Sequence, residues 1–148
     1  MLRVSKLTDY ATVVMTCLVG TGERVTSAQV VAERTRLEAP TVSKLLKQLA
    51  QAGLVVSTRG SNGGYRLARA PAEITIGDIV EAMEGPFGMT ECSLQGGQCE
   101  LEPWCSVRVN WRRINQAIAD ALESVTLADM TAPPAPRRPA IPLRVAAP

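Results

Sequence analysis

No histidine occurs anywhere in the 148 residues, which excludes every mechanism that needs an imidazole. No uninterrupted apolar run is long enough to span a bilayer, and the opening MLRVSKLTDY lacks the apolar region of a secretory signal. These two absences predict a cytoplasmic protein with no membrane partner. In that reducing compartment the four cysteines read as ligands or redox thiols rather than as a disulfide framework. The paired C-x2-C knuckles typical of structural zinc are missing too. No nucleophile–base pair and no phosphate-binding glycine loop supports an enzyme, so no small-molecule substrate is expected. Finally, residues 70 to 107 contain no Lys or Arg but seven acids, a region that nucleic acid would repel.

The first half is charged the opposite way. Residues 1 to 69 carry ten Lys or Arg against four Asp or Glu, a surface suited to a polyanion. Leu7, Ala11, Val14 and Leu18 mark the apolar face of a first helix, with Cys17 on or beside it and Asp9 off it. A second helix begins at a Thr26 or Ser27 cap and uses Ala28, Val31 and Ala32 inwardly. Pro40 then suits the first turn of a third helix, with Leu45, Leu46 and Leu49 facing in and Gly53 closing it. This pattern predicts a helix-turn-helix in which Thr41 and Ser43 reach base edges while Lys44 and Lys47 meet phosphates of double-stranded DNA. Two short β-rich runs flank Arg59-Gly60-Ser61-Asn62-Gly63-Gly64, so a hairpin wing follows, with Arg59 placed for a minor groove and Gly63 and Gly64 allowing close approach. Thr75 and Asp78 cap a fourth helix, apolar at Ile76, Ile79, Val80 and Met83.

The expected fold is mainly helical with a small β-hairpin: a winged helix-turn-helix domain over residues 1–88, then a long C-terminal helix. Between them, residues 89–105 form a loop with the spacing Cys92-x6-Cys99-x5-Cys105, in which Gly96 and Gly97 let the thiols fold towards one point. Trp104, Val107, Trp111, Ile114, Ile118, Ala121 and Val125 then recur at steps of three and four, the spacing of a helix–helix seam, and predict a dimerisation helix over 103–126. Residues 127–148 are rich in proline and arginine without periodicity and read as a disordered tail. Three thiolates suit an iron-sulfur cluster, and also zinc or a cluster-free thiol switch. A small iron-sulfur electron carrier is the reading from another class, but it leaves the basic winged half without a role.

The ordered set SKLTDYA, TVSKLLKQLAQAGLV, RGSNGGYRLAR, the three-cysteine loop and the terminal helix resembles one family across roughly residues 1 to 127. It is similar to the winged-helix iron-sulfur regulators that include IscR and the nitric-oxide sensor NsrR, and most closely to regulators of the SUF iron-sulfur assembly operon. The resemblance implies a homodimeric repressor on palindromic promoter DNA, governed by cluster occupancy, with a 2Fe–2S cluster ahead of a 4Fe–4S one. A nitric-oxide or redox-responsive repressor of the same fold is the alternative. In IscR-like members a histidine three residues after the last cysteine completes the ligand set, whereas this chain has Arg108 there. In NsrR-like members an aspartate of the first helix serves from the partner subunit, and the matching residue is Asp9. The base-reading positions of the family correspond to Glu38, Pro40, Thr41 and Ser43.

Overall fold

The computed structural model describes residues 3–94, 96 and 99–133. Six helices and one two-stranded sheet follow in the order α1 (Lys6–Val19), α2 (Ala28–Thr35), α3 (Ala39–Gln51), β1 (Val55–Thr58), β2 (Gly64–Leu67), α4 (Ile76–Glu84), α5 (Arg108–Glu123) and α6 (Leu127–Thr131). This is the expected winged helix-turn-helix with a long helix after it.

Local chemistry accounts for most boundaries. Ser5 and Ser27 cap α1 and α2 by accepting from the Thr8 and Val30 backbone N–H groups. The turn between α2 and α3 is made by Arg36 at φ 57°, the one left-handed non-glycine residue among the described residues, a conformation that costs about 1 kcal/mol and is held by the helices on either side. At the far end of α3, Gly53 takes φ 75°; its N–H donates to Ala50 O and that of Leu54 to Leu49 O. That pair of bonds is the Schellman closure that a glycine permits. Thr75 and Asp78 form the expected reciprocal capping box on α4.

The wing pairs Val55 with Leu67 and Thr58 with Gly64, antiparallel throughout. It does not stand free of the helices. Thr26, just before α2, exchanges both backbone hydrogen bonds with Tyr65, at 2.9 and 2.8 Å. Gly64 is required at this junction, since a Cβ there would lie 2.4 Å from the Thr26 carbonyl oxygen; at Gly63 it would lie 2.4 Å from that of Thr58.

One core joins α1, α2, α3 and the wing: Ala11, Val14, Met15, Leu18, Val31, Val42, Leu45, Leu46, Leu49, Ile74 and Ile79 are all fully buried or nearly so. Within α1 the buried arc is rotated from the expected one. Leu7 is exposed, and Thr8 and Met15 lie inside instead. The reason is Glu84 at the end of α4, which gives the Thr8 hydroxyl a partner at 2.6 Å and so makes that polar residue tolerable in the interior.

Two boundaries differ from the sequence expectation. The long helix starts at Arg108 and ends at Glu123, because Pro103 and Trp104 belong to a separate turn at Glu102–Trp104 and Val107 is only the N-cap. The expectation of a disordered segment over residues 127–148 fails for its first part. Residues 127–131 form α6, whose Thr126–Asp129 capping box nucleates it and whose Leu127 is completely buried. Backbone bonds from Leu127 N to Ile74 O (2.8 Å) and from Ile76 N to Val125 O (2.9 Å) stitch it to the start of α4. Residues 134–148 lie outside the described residues.

Candidate DNA-binding face and cysteine loop

The buried stripe of α3 (Val42, Leu45, Leu46, Leu49) fixes which side of that helix is free. Glu38, Pro40, Lys44 and Lys47 are exposed on it, while Thr41 and Ser43 are half-buried near its start. Glu38 occupies the N-cap without a side-chain cap bond, leaving the first N–H groups of α3 uncapped by a side chain. Arg59 is exposed at the end of β1, and Gly63 and Gly64, half-exposed, close the wing turn. Ion pairing among the described residues involves only Arg69, Arg108 and Arg112, so Lys44, Lys47 and Arg59 are free to meet phosphates. Sequence reasoning missed a further basic part of this surface. Arg24 and Arg34 line a groove of about 500 Å³ with Ser27, Ser61, Asn62 and Gly63, between the start of α2 and the wing tip. The Thr26–Tyr65 bridge creates that groove, and no local pattern announces a contact across so many residues.

This arrangement separates two kinds of DNA contact. Lys47→Ala is expected to weaken binding alike at all sequences and to reduce the slope of log K against log salt by about 1, the loss of one phosphate contact. Thr41→Ala or Ser43→Ala should shift sequence preference at little change in that slope. Titration of specific and scrambled duplexes at several salt concentrations checks both; wild-type affinity and preference in Arg59→Ala would remove the wing from the contact surface.

The cysteine loop leaves α4 through Gly85-Pro86 and returns at α5. Cys92 sits in a turn at Glu91–Ser93 with its Sγ 3.2 Å from Thr90 Oγ1. Cys99 precedes the turn Glu102–Trp104, its carbonyl accepting from Glu102 N at 3.0 Å, and Cys105 closes that turn. All four cysteines are half-buried free thiols. Cys17 differs from the others: it packs against the core, and burial raises its pKa despite the opposing pull of Arg34, so it stays a neutral thiol. Gly96 is left-handed at φ 79°, whereas Gly97 lies outside the described residues.

Asp9 is exposed on the first turn of α1. Among the described residues, no three cysteine or acidic side chains of one chain come together closely enough to hold a metal ion. The convergence expected of Cys92, Cys99 and Cys105 is therefore not formed within the single chain described. Glu84 was not anticipated at all. Its Oε1 accepts from Ser5 N (2.8 Å) and from Thr8 Oγ1 (2.6 Å), which ties the turn bearing Asp9 to the last residue of α4. The Thr8 hydroxyl first, then the Ser5 N–H, hold the Glu84 carboxyl below the ordinary carboxylate range. The tie is thus complete at neutral pH and is lost as pH falls through that lowered value.

Around α5, Arg108 Nη1 and Arg112 Nη2 reach Glu102 Oε1 at 3.1 and 2.9 Å, and Arg112 Nε donates to the Cys92 carbonyl at 3.0 Å. Asn115 Oδ1 accepts from Met89 N. No residue of α5 is buried. Asn115, Ile118, Ala119 and Leu122 are partly covered, on the side that packs against α4. Beside them Trp104, before the helix, is 88% exposed, Ile114 43% and Trp111 38%, with Val107 and Ala121 exposed too and Val125 half-buried. The expected seam is therefore an open apolar stripe from Trp104 to Ala121.

Comparison with known proteins agrees with this architecture. Residues 4–133 match the family Rrf2, described as "Iron-dependent Transcriptional regulator". The HTH-type transcriptional regulator NsrR of Geobacillus kaustophilus is 32% identical over 131 residues, 87% of this chain and 89% of that protein. Among solved structures, CymR, the global cysteine regulator of B. subtilis, superposes with a TM-score of 0.69 at 34% identity, covering 88% of this chain and 97% of CymR. IscR of T. potens does so with a TM-score of 0.63 at 35% identity, covering 87% and 85%. No described helix is long and apolar enough to cross a membrane. With helix-turn-helix, wing, cysteine loop and following helix all in place, the chain belongs to the Rrf2 family of DNA-binding transcriptional regulators and is not an enzyme.

Proposed function

We propose that this regulator reports the occupancy of an iron-sulfur cluster held by Cys92, Cys99 and Cys105, with Asp9 of a second copy of the chain as the fourth ligand. The observation that carries this reading is the donor set: three free, half-buried thiols on one loop, beside an exposed apolar stripe that we read as the face for a second copy. Arg108, at the position of the IscR-like histidine, is ion-paired with Glu102, and a guanidinium is a donor with no acceptor lone pair to offer iron, so it is no ligand. Glu102 is itself engaged by two guanidinium groups, whereas Asp9 is exposed and makes no ion pair among the described residues. When bound, the cluster would supply a labile, redox-sensitive link between the loop of one copy and α1 of the other. A ligand that holds two arrangements unequally shifts their populations, and α1 packs directly on α3 of the DNA-binding face. The likeness of the motifs to SUF regulators makes iron-sulfur assembly genes the inferred targets, under repression.

Anaerobic purification followed by an absorption spectrum and iron and sulfide counts tests the cluster. The fourth ligand is tested by Asp9→Ala, which should stay folded and dimeric but release iron faster, by about tenfold or more for a lost ligand. Mixed dimers of Asp9→Ala with Cys92→Ala should rebuild one intact site. Wild-type iron retention in Asp9→Ala would overturn its assignment, and a protein free of iron and sulfide whose DNA affinity follows thiol oxidation would replace the cluster with a thiol switch.

A further inference from the structure

The two legs of the cysteine loop are joined by side chains that are not candidate ligands. Arg112 projects from the second turn of α5, and its planar guanidinium uses two edges: Nε donates to the Cys92 carbonyl at 3.0 Å and Nη2 donates to Glu102 Oε1 at 2.9 Å. Glu102 begins the turn that ends at Cys105, and its backbone N–H donates to the Cys99 carbonyl at 3.0 Å. Arg108, one turn before Arg112 on α5, adds a second bond to the same carboxylate oxygen at 3.1 Å. One guanidinium thus spans from the backbone of the first cysteine to the side chain that organises the approach to the second and third. From the other direction Asn115, on the next turn of α5, receives Met89 N–H at 2.9 Å. The face Arg108, Arg112, Asn115 is therefore a rail along which the loop is laid.

We propose that Arg112, with Glu102, is a positioning clasp that brings the Cys92 leg to the Cys99–Cys105 leg before any metal is bound. The inference rests on the reading of those cysteines as ligands for its purpose, though the clasp itself stands on geometry alone. It explains how Glu102 is tolerated in a stretch, residues 70–107, that carries six other acids and no Lys or Arg: it is matched by two cations from α5. It also distinguishes arginine from lysine at position 112. A guanidinium reaches two acceptors along divergent edges of one plane, whereas a single ammonium is a point donor that keeps the ion pair and weakens the reach to the Cys92 carbonyl.

The test uses the full-length chain in a Cys17→Ser/Cys99→Ser background, so that Cys92 and Cys105 are the remaining thiols. The metal-free protein is treated with a short bis-maleimide, and the intramolecularly bridged product is quantified by mass spectrometry. Arg112→Gln is expected to lower that yield by about fivefold, the scale of a partly exposed charge-assisted contact, with Arg112→Lys falling between. Helicity and thermal midpoint should stay unchanged, which separates positioning from loss of fold. In the chain with all four cysteines, Arg112→Gln should also release iron faster than Arg112→Lys. Equal bridging in all three proteins would overturn the clasp. Impaired bridging in a protein that binds no iron even with Arg112 present would leave the clasp standing and overturn the cluster reading instead.

Discussion

A chain carrying Trp111→Glu and Ile114→Glu is expected to be folded, monomeric, and at least about 100-fold weaker on a two-half-site operator, while still binding a single half-site as the wild type does. The fold should survive because neither side chain is part of the buried core: Trp111 is 38% and Ile114 43% exposed, on a helix with no buried residue. Dimerisation should not survive, because two carboxylates per copy would face their counterparts across a dry seam, where burial of unpaired charge costs several kcal/mol. The loss on DNA follows from losing the second half-site as a tethered contact. Ile118→Glu would be a poorer probe, since Ile118 is already half-covered and a charge there would also disturb the packing of α5 on α4. Light scattering, circular dichroism and titration with whole and half operators check the three expectations. A double variant that remains dimeric would show that the stripe from Trp104 to Ala121 is not the interface.

Leu127→Ala is expected to lower stability by about 2–5 kcal/mol, the range for a fully buried leucine that leaves a cavity behind. For a domain of this size that is a drop of about 10 °C or more in Tm, a large share of a margin of about 5–15 kcal/mol. Leu127 sits at the return point where α6 meets α1 and the start of α4, so the cavity opens at the junction of three elements. Met130→Ala, three residues on but half-exposed, should cost less than about 1 kcal/mol and serves as the control. Equal melting of the two variants would mean that α6 contributes nothing to the core.

The contrast between these two sites shows what local pattern conveys. The apolar stripe was legible because spacing at steps of three and four is a property of a single helix, visible whether or not anything covers it. The same reading overextended the helix to residues 103 and 126, since periodicity continues through Trp104 and Val125 although the hydrogen-bonded ladder runs only between the caps Val107 and Ser124. Leu127 was lost in the proline-rich composition that follows it. One buried leucine in a five-residue helix has no period to detect, and the Thr126–Asp129 capping box was its single local signal. Thr8 and Leu7 exchanged places for a comparable reason: the hydroxyl is acceptable inside only because Glu84, 76 residues away, accepts its hydrogen bond.

What the sequence determined by itself is the set of elements and their chemistry: Ser5, Ser27, Pro40, Gly53 and the Thr75–Asp78 box start and stop the helices, the glycines shape the wing, and the charge division assigns DNA to the first half. These are short-range effects, settled by the residues within one turn. The tertiary structure alone decided which groups meet across the chain. It placed Thr26 on Tyr65, so that Arg24 and Arg34 share a groove with the wing, and Glu84 on Ser5 and Thr8, so that the Asp9 turn is tied to the root of the cysteine loop. It also turned Arg112 from a surface charge of an amphipathic helix into the bridge between Cys92 and Glu102. Such contacts depend on how the core orients whole elements relative to one another, and a side chain's neighbours across that core leave no mark on the residues beside it in sequence.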